Sequence, residues 1–324
     1  MTINTVSDLE IPEKGFIDQY DFYMRRRPSV TLAVERKVVD PLLIRNTEQD
    51  RAETQVIAGK TRAQSNPEKF TTKERLTGLD LLRRIDEDDD LIHEEYTYNE
   101  PPALDHAINM DALTYGITGT GDQDYGMKSR LFTGYTYTIG EYDIMNEEVR
   151  NKAYESGTMT DEDGEHSQGL FSQVRVQPGN SFMHFLTIEA GTPAMLAYVL
   201  HNVLNTHGYG ARETRSGKTV ENHIRAVILS DHPALLSVGE FIDQFDPDPE
   251  SEDIGRHLGN YLRANERADW EIYGDGVVRD TDPFPDWFKQ LKAIAGRNRA
   301  DSTEILAESL AEETSAAKEN IPEA

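Results

Sequence analysis

Between Lys60 and Arg75 the chain carries five cations, Lys60, Arg62, Lys69, Lys73 and Arg75, against Glu68 and Glu74. They fall on a glycine-containing loop and on the helical pattern that opens after Asn66-Pro67. Lysine and arginine on a rigid element beside loop amides are the chemistry of phosphate contact. A second cluster is Tyr115-Gly116 followed by Lys128-Ser129-Arg130-Leu131-Phe132. A third runs from Tyr209-Gly210-Ala211-Arg212 through Arg215 to Gly217-Lys218. Glycine lets backbone N–H groups approach a line of phosphates. Arg212, Arg215 and Lys218 add charge-assisted hydrogen bonds. Taken singly, each cluster reads equally well as an ordinary charged surface.

Other chemistry is excluded by spacing. The stretch from Gly210 to Thr219 has six residues between its glycines where a phosphate-binding P-loop needs four, and it joins a helix to a strand rather than the reverse. Gly119-Thr120-Gly121 lacks the third glycine of a dinucleotide fingerprint. Asp86–Asp90 has Leu91 where a calcium loop needs glycine. His93-Glu94-Glu95 has no second histidine four residues on, and His201 and His207 do not share a helical face. His184, inside a strand pattern, reads as a satisfied structural group. With no cysteine there is no disulfide, thiolate nucleophile or cysteine-based zinc site. Any metal would rest on His, Asp or Glu; no metal and no cofactor are expected.

The elements that position these clusters follow from pattern. Val30–Val39 alternates as a strand before Pro41. Asn46–Gln64 is a polar loop or short hairpin. Phe70, Leu76, Leu79, Leu82 and Ile85 approximate helical spacing over Glu68–Ile85. Strands are predicted around Ala112–Ile117 and Lys128–Ile139, and a short helix over Glu141–Lys152. Glu155–Ser167 is a polar, glycine-bearing insertion. Leu170–Val176 is a strand, Pro178-Gly179-Asn180 a turn and Phe182–Glu189 a second strand. Thr192 and Pro193 cap and start a helix through Asn205, and Glu221–Ser230 is a third strand. This β–β–α–β string is half of a ferredoxin-like sandwich, so the expected class is α+β.

Charge sets the context. The 324 residues carry 33 basic and 59 acidic side chains, net −26. Residues 1–85 hold 15 basic and 13 acidic groups, so almost all of the excess lies beyond them. Taken at face value, such a balance repels polyanions and argues against nucleic acid or anionic membranes. Arginine outnumbers lysine, 22 to 11. An acidic, lysine-poor, cysteine-free chain instead suits a salt-rich, halophilic cytosol, where a Debye length of ~3 Å at 1 M screens self-repulsion. The longest apolar run, Ala194–Leu200, is far short of the ~20 residues of a membrane span. The N-terminus has neither the basic start nor the apolar stretch of a secretory signal, so a cytoplasmic location is expected.

Taken in order, "AGKTRAQSNPEKFTTKERLTG", "YG…KSRLF", and a strand–helix–"YGARETRSGK"–"ENHI" unit resemble the RAMP-superfamily subunit that coats the guide RNA in CRISPR effector complexes. Within that superfamily the likeness is to the backbone subunit of the type I-D complex, Cascade, and it spans about Val30 to Leu236. The resemblance implies an RRM-like (ferredoxin-like) core at 30–236, an N-terminal arm at 1–29 and an acidic C-terminal helical extension at 237–324. Insertions lie at about 46–108, a basic loop and helix with an acidic connector, and at about 141–169, which would hold a projecting thumb. Copies of the chain would stack along the crRNA beside a large subunit, a RAMP capping subunit and an RNA-processing subunit. Target DNA or RNA would be met through the guide in antiviral defence. Lys60, Arg62, Lys69, Lys73, Arg75, Lys128 and Arg130 then become guide-backbone contacts, with Arg212, Arg215 and Lys218 a looser set. Some relatives carry a zinc-binding insertion, which the absence of cysteine here puts in doubt.

Two other readings compete. Related backbone subunits of type III complexes cut target RNA with a metal-dependent loop aspartate, and Asp50 occupies a comparable loop. A halophilic enzyme for a small substrate is the third reading, for which no motif is found. The tail from Asp301, with seven acids and one lysine, reads as a solvating appendage.

Overall fold

The computed structural model describes residues 3–22, 28–45, 53–86, 91–119, 124–141, 145–151, 170–211, 217–245, 254–276, 283–296 and 300–321. The first half contains β1 (Ser29–Val38), β2 (Glu53–Ile57), β3 (Lys60–Ser65), α1 (Glu68–Ile85), α2 (Leu104–Ala107), α3 (Met110–Tyr115), β4 (Ile117–Gly119), β5 (Tyr125–Met127), β6 (Leu131–Thr133) and β7 (Thr136–Tyr137). There follow β8 (Met145–Asn151), β9 (Leu170–Val176), β10 (Ser181–Glu189), α4 (Pro193–Asn205) and β11 (Val220–Ser230). The chain continues through α5 (Val238–Phe245), α6 (Ile254–Ala264), β12 (Trp270–Gly274), α7 (Asp286–Gly296) and α8 (Ala300–Glu319).

β1 is the middle of a five-stranded antiparallel sheet of order β12-β11-β1-β10-β6. Val30 pairs with Ile188 on one side and Leu229 on the other; a bulge at Ala33/Val34 shifts the register against β11. All its residues but Lys37 are buried, which requires cover on both faces. Alternation supplies it. Leu32, Leu186, Ile188 and Leu229 meet α1, α4, α7 and α8 on one face, while Ala33, Phe185, Ala226 and Ile228 meet α5 and α6 on the other. α4 is apolar on almost every side because it lies between other helices and the sheet. Its start matches the sequence reading: Pro193 opens it and the Thr192 side chain accepts the Met195 N–H.

Three expectations need correction. Ala112–Ile117 is mostly α3, not a strand, because the Asn109 side chain caps it by accepting the Ala112 N–H. Within the predicted helix Glu141–Lys152, Met145–Asn151 is extended instead and pairs antiparallel with Leu170–Val176. The acidic tail is more than a solvating appendage, since Leu306, Leu310 and Ala317 of α8 are buried in the main core with Trp287 and Phe288 of α7. The 237–324 segment also supplies β12 to the sheet, beside β11. The 155–167 insertion lies outside the described residues.

Candidate nucleic-acid interface

The hairpin β2–β3 turns at Ala58-Gly59, both in left-handed backbone conformations, and leads directly into α1. α1 buries Phe70, Glu74, Leu81 and Leu82, leaving Lys69 and Lys73 half-buried on its outer side and Leu76 exposed. Gly78 is required on the inner side. A Cβ there would lie 2.5 Å from Asn202 and closer still to the Tyr198 hydroxyl, so glycine sets how closely α1 approaches α4. An open groove of about 500 Å³ follows this crossing, lined by Lys73, Thr77, Asp80, Asn205 and His207 among others.

Beneath α1 lies a buried polar node that sequence reasoning missed. Arg36 of β1 and Glu74 of α1 have no exposed side-chain surface and approach to 2.5 Å. Arg36 Nη1 also donates to Asn222 Oδ1 (3.1 Å) and the Tyr209 hydroxyl (3.3 Å), and its guanidinium lies 4.6 Å from the Phe70 ring centre. The Tyr209 hydroxyl donates to Glu74 (2.9 Å) and accepts from Asn222 Nδ2 (2.8 Å). Burial works against the Arg36 charge, but Glu74 and Tyr209 outweigh it and raise the guanidinium pKa. Burial, then Glu74, pushes the Tyr209 phenol well up. The available signal was a charged run, Glu35-Arg36-Lys37, in a central strand whose preceding residues are mostly apolar.

This node joins the first and third sequence clusters, because Tyr209 opens the "YGARETRSGK" loop. Gly210 has φ +89°, and a Cβ there would lie 2.7 Å from the Leu43 carbonyl. The adjacent Ala211 N–H donates to that carbonyl at 2.9 Å. Arg212 and Arg215 lie outside the described residues, as does Asp50. Lys218 is exposed and stands 3.0 Å from Glu221.

The second cluster closes on itself. Gly116 ends α3 with φ 74° and ψ 160°, and a Cβ would lie 2.5 Å from both Met127 O and Ser129 N. Arg130 N–H donates to the Thr114 carbonyl at 2.9 Å. The tyrosine–glycine and the lysine–serine–arginine of the motif are therefore neighbours across a backbone contact that only glycine permits. Lys128 is exposed, 5.8 Å from the Phe132 ring centre.

Three arginines anticipated as guide contacts are engaged in internal contacts. Arg62 is fully buried and donates to the carbonyls of Ile57, Thr138 and Ile139, tying the hairpin to the following strands. Arg130 is buried, donates to the Asp21 carbonyl and lies 4.9 Å from the Tyr20 ring centre. Arg75 grips Asp111 through two nitrogens (3.0 and 2.7 Å), donates to the Gly116 carbonyl (3.1 Å) and stacks 4.5 Å from Tyr98. Arginine's planar fork suits such multidentate anchoring, and sequence spacing does not distinguish it from phosphate binding. Lys60, half-buried at the hairpin turn, Lys69, Lys73, Lys128 and Lys218 remain at the surface.

Among the described residues, His93, Glu95 and His106 bring three ligand-type atoms within 4.8 Å of one another. His93 Nδ1 accepts the Glu95 N–H (3.2 Å), and the two imidazoles stack at 4.0 Å. Glu95 and His106 are exposed, and the group is one ligand short of four. It does not fit a closed structural zinc centre.

The α+β fold is shared with solved proteins of CRISPR complexes. The crystal structure of Thermofilum pendens Csc2 superposes with a TM-score of 0.58 at 15% identity, over 95% of this chain and 96% of that one. A chain of a CRISPR RNA-guided surveillance complex in a pre-nicking state superposes with a TM-score of 0.53 at 12% identity, over 82% of this chain and 99% of that one. The family model described as Csc2 Crispr matches residues 44–282, well over half of the sequence, and the chain belongs to that family. No curated protein matches it. No described helix is long and apolar enough to cross a membrane.

Proposed function

We propose that this chain is a guide-RNA-coating backbone subunit of a type I-D CRISPR interference complex, working in several copies along the crRNA with the other effector subunits. Membership of the Csc2 family carries the reading. The strand order supports an RRM-like core: β1, α1, β6, β10, α4 and β11 follow the βαββαβ sequence, and β11-β1-β10-β6 is the order that motif requires. β12 adds an edge strand. Because α5 and α6 cover the second face of the sheet, the RNA does not lie across the strands as on an open RRM platform. The surface cations Lys60, Lys69, Lys73, Lys128 and Lys218 take the backbone contacts, while Arg62, Arg75 and Arg130 position the elements that carry them.

Binding to single-stranded RNA over a salt series tests this. Each phosphate contact contributes about −0.7 to the slope of log affinity against log salt on a single strand. Alanine at Lys69 and Lys73 together should flatten the slope by about 1.4, without changing which RNA is bound. Recovery of the full-length chain from an array-bearing host with no spacer-derived RNA would reject the proposal.

A further inference from the structure

We infer that Tyr135 is a stacking platform for one base of a single-stranded nucleic acid, an inference that rests on the guide-coating reading above. The ring is half-exposed, at 51%, among the few large apolar side chains left at the surface. A lone exposed tyrosine is ordinary; its mounting is not. The loop from β6 to β7 is only Gly134 and Tyr135, and the residues around the ring are tied down from below. His184 of β10 is fully buried and reaches Thr133 Oγ1 and the Gly134 carbonyl (3.2 Å) through Nε2. On the other side of the ring, Thr136 Oγ1 donates to the Met183 carbonyl.

The chemistry of that mounting is determined. Arg36 Nε donates to His184 Nδ1 at 3.1 Å, so Nδ1 carries the lone pair and Nε2 carries the proton given to Gly134. The imidazole is thereby neutral and in one tautomer. Residues 133, 134 and 136 are tied to β10, while the Tyr135 side chain is exposed. A ring carried on a backbone already held in place gives up less conformational entropy on stacking than one on a mobile loop, and every base offers a π-face, so the contact suits a strand bound without regard to sequence. Lys128 and the part-exposed Phe132 lie on the same segment, an exposed cation between the "YG" motif and the ring.

The test compares Tyr135→Leu and Tyr135→Trp with the wild type on an oligouridylate and on an abasic oligonucleotide of equal length. Leucine should weaken oligouridylate binding by about tenfold, since base stacking is worth ~1–3 kcal/mol, and leave the abasic strand unaffected. Tryptophan should retain the affinity, and its emission should be quenched by the oligouridylate alone. Thermal midpoints should match the wild type, because the ring belongs to none of the buried apolar clusters. Equal binding by Tyr135→Leu, or emission from the Tyr135→Trp variant that is indifferent to bases, overturns the inference while leaving the guide-coating reading intact. Failure of the wild type itself to bind RNA overturns both.

Discussion

Glu74→Gln probes the node that joins α1 to the sheet. The substitution preserves shape and one hydrogen-bonding oxygen but removes the charge opposite Arg36, 2.5 Å away in a site with no solvent on either side chain. Asn222 Oδ1 and the Tyr209 hydroxyl continue to accept from the guanidinium, but neither neutralises it. Removing one partner of a buried pair costs about 3–5 kcal/mol, chiefly because the remaining ion is desolvated and uncompensated. Arg36→Met should cost a similar amount. The double change Arg36→Met with Glu74→Leu should be less damaging than either single change, since no ion is then buried. Urea unfolding, with the midpoint read at constant m-value, measures all three. The experiment belongs at both ~0.15 M and ~1 M salt, where the Debye length falls from about 8 to about 3 Å. A dry pair is insensitive to that change. A Glu74→Gln cost below ~1 kcal/mol, or one that vanishes at the higher salt, would refute the reasoning and mark the pair as effectively solvated.

Gly116→Ala should destabilise by about 1–3 kcal/mol from its glycine-only backbone region alone, with the Met127 and Ser129 clash added; chemical unfolding measures it. Burial lowers the His201 pKa to about 4 from an ordinary 6.5, against the hydrogen bond to the Ala295 carbonyl. The unfolded chain therefore binds the proton more readily. The His201 contribution is complete above pH 6.5 and is lost as pH falls toward 4, about 3 kcal/mol in all. Replacing His201 with Gln should flatten the stability profile between those pH values, as read by unfolding midpoints across the range. Gly78→Ala should separate α1 from α4, because the nearest atoms belong to the buried Tyr198 and Asn202; a fall in thermal midpoint together with weaker RNA binding is expected.

Local signals carried the parts of the fold that local signals can carry. α1 spans Glu68–Ile85 as its periodicity and its Asn66-Pro67 start imply, and α4 runs from Pro193 to Asn205 beneath a threonine cap. His184 is a satisfied interior group, as its place in a strand suggested. Where the pattern failed, the deciding partner was distant. Asn146 to Arg150 is polar and compatible with a helix by itself; it is extended because it pairs with residues 171–175 across the intervening insertion. Met110–Tyr115 has a strand-like apolar content, yet the Asn109 side chain caps it as a helix, a cue that was present and outweighed by the surrounding Gly and Thr. The arginines were the hardest. Arg62 and Arg75 share a segment with Lys60, Lys69 and Lys73, and only the position of Thr138, Ile139 and Asp111 separates interior anchors from surface cations.

That separation bears on how an acidic chain would hold the guide proposed for it. Of the ten cations nominated for the guide, the described geometry takes three into internal contacts, and all three are arginine. The five at the surface are lysine. Arginine's fixed fork is worth most where several acceptors are held in place; a lysine ammonium is a point charge that reaches a phosphate from many directions. Long-range attraction from five lysines cannot overcome a net −26; in molar salt, which the acidic, lysine-poor composition would suit, both terms would be screened within ~3 Å. On the guide-coating proposal, what would persist is short range: direct hydrogen bonds, loop amides and base stacking, multiplied by avidity if several copies line one guide. On this account affinity should depend on the rigidity of α1 and the loops as strongly as on their charge. Buried changes at Glu74 or Gly78 should therefore weaken RNA binding even though neither residue reaches the surface.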